Sequence, residues 1–177
     1  MGFLCCWWRR RFPRRPSPPR RRASLKVSLP PVRAMGRYEI LEHTADKGLE
    51  VHASDLPELF RLAGQGLFAL MIDVSRYPPT ERVSVQRDAP DLEMLIVRWL
   101  NELLYQFEVS HRLFSDFDPV KVEERDGRWY VESLAHYRPI QPAELEWDGA
   151  PVKSVTYHGL KLEQTPEGWF LRFYVDV

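Results

Sequence analysis

Between residues 35 and 177 the spacing of apolar positions switches between two and about 3.6, and the switches predict an order of strands and helices. Residues 38–44 (YEILEHT) and 49–53 (LEVHA) alternate apolar with polar, the signature of half-buried strands, around a turn at Asp46-Lys47-Gly48. Asp55 is placed to cap a helix, with Glu58 three residues on and Pro57 in the first turn. Leu56, Leu59, Phe60, Ala63, Leu67, Leu70 and Met71 follow at helical spacing, so this helix is expected to end near Ile72-Asp73. Residues 82–87 (RVSVQR) read as a short strand. Asp91 then opens the most regular helix of the chain, with Leu92, Leu95, Ile96, Trp99, Leu103, Leu104 and Phe107 in one stripe.

Residues 120–124 and 129–137 flank Asp126-Gly127, a dipeptide suited to the positive φ angles of a tight hairpin. Residues 152–164 and 169–175 flank a second turn, Thr165-Pro166-Glu167-Gly168, and Trp169, Leu171, Phe173 and Val175 share one face of the last strand. The order ββαβαββββ predicts an α+β domain with two helices packed on one side of a mainly antiparallel sheet.

Composition changes this picture mainly at the front of the chain. The 177 residues carry 25 Lys+Arg and 25 Asp+Glu, a formal net charge of zero. Residues 1–34, however, hold ten of those bases, six of the fifteen prolines and no acid, leaving fifteen bases against all 25 acids in the remainder. Such a segment cannot bury enough apolar surface to offset chain entropy and is expected to be a disordered tail. Residues 35–177 form the domain. The expectation is that Met35 is the natural start and the preceding stretch is translated upstream sequence. Other readings are a lipid anchor built on Gly2, Cys5 and Cys6, contact with nucleic-acid phosphates, and a plain linker. Arginines follow the short apolar run instead of preceding it, which is the wrong order for a secretory signal, and no stretch nears the roughly 20 apolar residues of a membrane span. A cytoplasmic protein without a membrane partner is expected.

Both cysteines lie in the tail, so residues 35–177 have no disulfide, no thiolate zinc site and no thiol nucleophile. The five histidines show no metal-ligand spacing, and glycine-rich phosphate loops and the G-x-S-x-G elbow are missing. The polar turn His43-Thr44-Ala45-Asp46-Lys47-Gly48 is the first candidate for chemistry. Asp46 suits either a hard cation or the N–H groups of its own turn, and His43 either a contact or a structural place. Asp176, one residue from the terminal carboxylate, is the second candidate. If the opening strand lies beside the last, Asp46 and Asp176 can share Ca²⁺ or Mg²⁺; otherwise Asp176 is a solvated terminal residue. Lys153 alternates against Val152 and Val155 as a solvent-facing strand lysine would, and Tyr157 and His158 read as packing residues.

Five segments in order resemble the archease family: residues 43–51 (HTADKGLEV), 67–71 (LFALM), 91–93 through 99–105 (WLNELLY), 152–158 (VKSVTYH) and the terminal Tyr174-Val175-Asp176-Val177. The resemblance covers essentially all of residues 38–177. Lys47 departs from it, standing where the family more often has a small or aliphatic residue, and residues 138–149 form a shorter linker than usual. The resemblance implies an accessory protein of the GTP-dependent tRNA-splicing RNA ligase, which joins 2′,3′-cyclic phosphate or 3′-phosphate ends to 5′-hydroxyl ends. The accessory protein would promote guanylylation of the ligase and repeated turnover without being an enzyme itself. It also implies a divalent cation, Ca²⁺ in first place with Mg²⁺ or Mn²⁺ as alternatives, held by Asp46, Asp176 and the carbonyl of Val177. Lys153 is implied as a contact for the ligase or a nucleotide, and His43 and His158 are further candidate contacts.

The acidic domain agrees with that implication, because it favours a basic protein face over a phosphate backbone and would meet RNA only through the ligase. Two other readings stay open from the residues alone. One is an independent metal-dependent phosphotransfer or hydrolytic enzyme, which lacks a positioned base or nucleophile. The other is an RNA chaperone or binding module that depends on the basic tail.

Overall fold

The computed structural model describes residues 36–42 and 47–177, so the tail, His43 and Asp46 lie outside the described residues. Among the described residues seven strands and two long helices follow in the expected order: β1 (Arg37–Glu42), β2 (Lys47–Ala53), α1 (Leu56–Ala69), β3 (Glu81–Ala89), α2 (Leu92–Ser110), β4 (Arg112–Arg125), β5 (Arg128–Pro139), β6 (Ser154–Thr165) and β7 (Gly168–Asp176). Short 3-10 turns at Val74–Arg76 and Pro142–Glu144 join them. All strand pairings are antiparallel. They divide over two sheets, β1-β2-β7-β6 and β3-β5-β4. Period-two alternation states which side of a strand is buried but not which strand lies beside it, so this division is a property of packing.

Each helix touches both sheets: α1 packs on β2 and β4, and α2 on β3 and β6. Helix α1 accordingly has no exposed residue. Gly64 and Gly66, on opposite sides of it, allow the close approach. A Cβ on Gly64 would stand 2.5 Å from the Phe117 ring of β4, and one on Gly66 would stand 2.4 Å from Leu49 of β2. The core is aromatic at its centre, where Phe60 meets Trp99 edge-on at 5.5 Å and Trp99 meets Phe117 at 5.1 Å. The Trp99 indole N–H donates to Ser133 Oγ, which donates in turn to the Val85 carbonyl, so the buried hydroxyl is satisfied.

The helix starts follow the sequence. Asp55 accepts from the Glu58 N–H at 3.0 Å, and Asp91 from the Met94 N–H at 2.7 Å. Glu58 reaches back to accept from the Ser54 N–H at 2.7 Å and from the Gly36 N–H at 3.2 Å, pinning the first described residue to α1. The end of α1 differs from the expectation. It stops at Ala69, short of Ile72, because the chain turns so that the Met71 carbonyl accepts from the Asp148 and Gly149 N–H groups. β4 is also longer than expected, since Pro119 and the register irregularities between Phe114 and Val120 break the alternation of its first half. The hairpin at Asp126-Gly127 forms as read, with both φ angles positive at 51° and 73°. No helix among the described residues is long and apolar enough to cross a membrane.

Candidate functional site

The C-terminal strand gathers the candidate residues. Leu171, Phe173 and Val175 of β7 are buried, so Arg172, Tyr174 and Asp176 occupy the opposite face of the sheet. β7 lies between β2 and β6, with Lys47 opposite Val175, Gly48 opposite Tyr174, and Ser154 opposite Asp176. It is therefore the second strand, not the opening one, that lies beside the last. Lys47 is the covalent neighbour of Asp46 and Val175 that of Asp176. The ring of Tyr174 lies against two glycines: a Cβ on Gly48 would be 2.8 Å from it, and one on Gly159 2.7 Å. These two positions leave room for the ring beside Asp176.

The start of β6 closes over the end of β7. The Lys153 N–H donates to the Asp176 carbonyl at 2.8 Å, and Ser154 Oγ donates to Asp176 Oδ2 at 3.0 Å. The Lys153 ammonium donates to the Val177 carbonyl oxygen at 3.1 Å. β6 is held from the other side by Asn101 of α2. Its Oδ1 accepts from the Val155 N–H at 2.9 Å, and its Nδ2 donates to the carbonyls of Val155 and Val97, both at 3.0 Å. The amide acts as a neighbouring strand would at this edge.

Asp176, Val177 and Lys153 are thus brought together at one exposed end of the sheet. His158 is not part of that contact set. With Tyr157 it is exposed, which corrects the expectation that both pack: the β6–β7 register breaks between Thr156 and Lys161, and Gly159, at φ +66°, carries the intervening residues away from the ladder. Lys47 points away from the cluster, on the core side of the sheet with Leu49. A Cβ on Gly149 would stand 3.0 Å from its Nζ and 2.2 Å from the Leu70 carbonyl oxygen, placing the ammonium near the end of α1, whose last turn has no base. A cation there complements the helix dipole.

The donors available for a cation are all hard oxygens: the Asp176 carboxylate and the terminal oxygens of Val177. This set suits Ca²⁺, Mg²⁺ or Mn²⁺ and not a thiophilic metal. Among the described residues no group of three or more His, Cys, Asp or Glu side chains could hold a metal ion. Asp176 is the only side-chain carboxylate of the expected ligand set within them. Ser154 and Asn101 had no role assigned from sequence. Asn101 did carry a signal, being the chain's only asparagine.

Residues 38–177 match the profile described as the Archease protein family (MTH1598/TM1083). The chain is 36% identical over 145 residues to protein archease of Methanosarcina acetivorans, covering 80% of this chain and 96% of that one. To protein archease of Pyrococcus furiosus it is 31% identical over 144 residues, covering 81% and 100%. The solution structure of Methanobacterium thermoautotrophicum protein 1598 superposes with a TM-score of 0.69 at 29% identity, covering 79% of this chain and 98% of that one. Over its whole α+β domain, from the first strand to the terminal valine, the chain belongs to the archease family.

Proposed function

We propose that this protein is a non-catalytic activator of a GTP-dependent tRNA-splicing RNA ligase, promoting guanylylation and repeated turnover during tRNA splicing and RNA repair in the cytoplasm. The observation that carries the reading is the convergence of Asp176, Val177 and Lys153 at one exposed sheet end in a chain of this family. Asp176 and the Val177 carbonyl, together with Asp46, would hold a divalent cation, Ca²⁺ or else Mg²⁺ or Mn²⁺. When bound, that cation supplies a fixed positive charge that phosphate oxygens can approach. Ser154 orients the Asp176 carboxylate, and Asn101 fixes the strand that carries Ser154 and Lys153. His43 and His158 are proposed only as further contacts for the partner. The acidic domain favours a basic protein surface, so RNA is reached through the ligase.

The test is ligation by the ligase of the same source, on RNA halves ending in a 2′,3′-cyclic phosphate and a 5′-hydroxyl, with and without this chain. The expected result is several joined RNAs per ligase with the chain and about one without it. The chain alone should leave nucleotides and RNA unchanged. Equal turnover with and without it contradicts the activator reading, and metal-dependent turnover by the chain alone would favour an enzyme.

A further inference from the structure

An apolar groove of about 510 Å³ runs beside the terminal cluster, between one face of α2 and the segment 142–153. Leu104, Tyr105 and Phe107 line it from the helix, and Trp147, Pro151 and Lys153 from the segment. Tyr105 is 58% exposed, Trp147 38%, and Val109, one turn further along α2, 57%. Large apolar side chains gathered in this way mark interaction surfaces. The walls are anchored. Trp147 meets Phe107 edge-on at 6.1 Å, and Phe107 meets buried Phe68 at 5.6 Å. The segment behind Trp147 is tied down through the Asp148 and Gly149 N–H groups on the Met71 carbonyl, and through Arg76 on Glu146 and Asp148. A groove held open in this way is preorganised for a ligand.

We infer that this groove is the seat of the ligase: it takes an apolar segment of the partner, two or three side chains long with an aromatic or aliphatic anchor, flanked by lysine or arginine. The inference rests on the activator reading. Charge selects the occupant. Glu108 is the acid that lines the groove, and residues 35–177 as a whole have ten more acids than bases. A second copy would bring the same negative field against itself, and RNA phosphates would be repelled. Lys153 joins the groove to the site: its side chain lines the one while its ammonium bonds the Val177 oxygen of the other. A segment seated in the groove therefore lies against the terminal oxygens.

The experiment measures affinity of the full chain for the ligase at one fixed salt concentration. Tyr105→Glu and Val109→Glu alter exposed positions and should each weaken binding at least about tenfold. Lys121→Glu, on a side chain 61% exposed on the second sheet and shifting charge in the same direction, should change it by no more than about twofold. A photo-reactive p-benzoylphenylalanine in place of Tyr105 should label the ligase, and one in place of Lys121 should not. If the wild-type chain neither binds nor stimulates the ligase, the activator reading falls and the inference with it. If wild type does both while Tyr105→Glu and Val109→Glu bind equally well and position 105 labels no ligase, the groove assignment alone is overturned. Self-association of the chain that Tyr105→Glu abolishes would assign the groove to a second copy and overturn it as well.

Discussion

The ammonium of Lys153 donates to the Val177 carbonyl oxygen at 3.1 Å, so a side-chain cation rests on one of the oxygens proposed to hold the divalent ion. Replacing it with a neutral side chain of similar length removes a like charge from the ion's surroundings. Lys153→Met is expected to bind Ca²⁺ more tightly, by roughly threefold to tenfold at low salt, with the gain shrinking as salt rises. Isothermal titration with Ca²⁺ at two ionic strengths checks this. The same variant should stimulate the ligase less, because the proposed partner contact is gone.

Asn101 joins α2 to β6 through two hydrogen bonds, one from the Val155 N–H and one to the Val155 carbonyl, and a third bond holds its amide to Val97 of its own helix. Asn101→Asp keeps the acceptor but sets a carboxylate against two carbonyls. It should cost roughly 2–3 kcal/mol in denaturant unfolding, and the Val155 amide should exchange faster. Because Lys153 and Ser154 sit at the start of the same strand, ligation stimulation should fall beyond what the lost stability explains.

Gly64 stands where the Phe117 ring packs against α1, 2.5 Å from where a Cβ would be. Alanine improves helix propensity by up to about 1 kcal/mol, yet it must displace a fully buried ring in a close-packed core, at about 1–3 kcal/mol. Gly64→Ala is therefore expected to be destabilising by about 1–2 kcal/mol in thermal or denaturant melts.

The Glu58 carboxyl is subject to burial, which raises its pKa, but the hydrogen bonds from Ser54 and Gly36 outweigh this and hold it below the ordinary value of 4.5. A folded-state value below the unfolded one means that the stabilisation is present above 4.5 and is lost as pH falls through the lowered value. Glu58→Gln should be less stable than wild type by about 1 kcal/mol at neutral pH. The two proteins should converge as the pH drops below 4.5, which an acid titration of the unfolding midpoint measures.

What could be read in advance follows the range of each interaction. The Asp55 and Asp91 caps, the α2 stripe and the Asp126-Gly127 turn depend on neighbours a few residues away, and all appear as expected. The first half of β4 was hidden because Pro119 and the irregular register interrupt its alternation. The split into two sheets, and the outward turn of Tyr157 and His158, depend on strand partners and a bulge that spacing does not encode. Asp176 could be singled out as a carboxylate beside the terminus. Asn101 is marked out as the chain's only asparagine, but it meets Val155 across 54 residues of chain, so its partner is not encoded by its neighbours in sequence. The expectations for the tail, His43 and Asp46 fall outside the described residues.

The most direct measurement is multiple-turnover ligation by the matching ligase with wild-type chain against Asp176→Asn, which keeps the size of the side chain and removes its charge. Wild type should drive repeated ligation, whereas Asp176→Asn, folded and still able to bind the ligase, should not. Full stimulation by Asp176→Asn would contradict this.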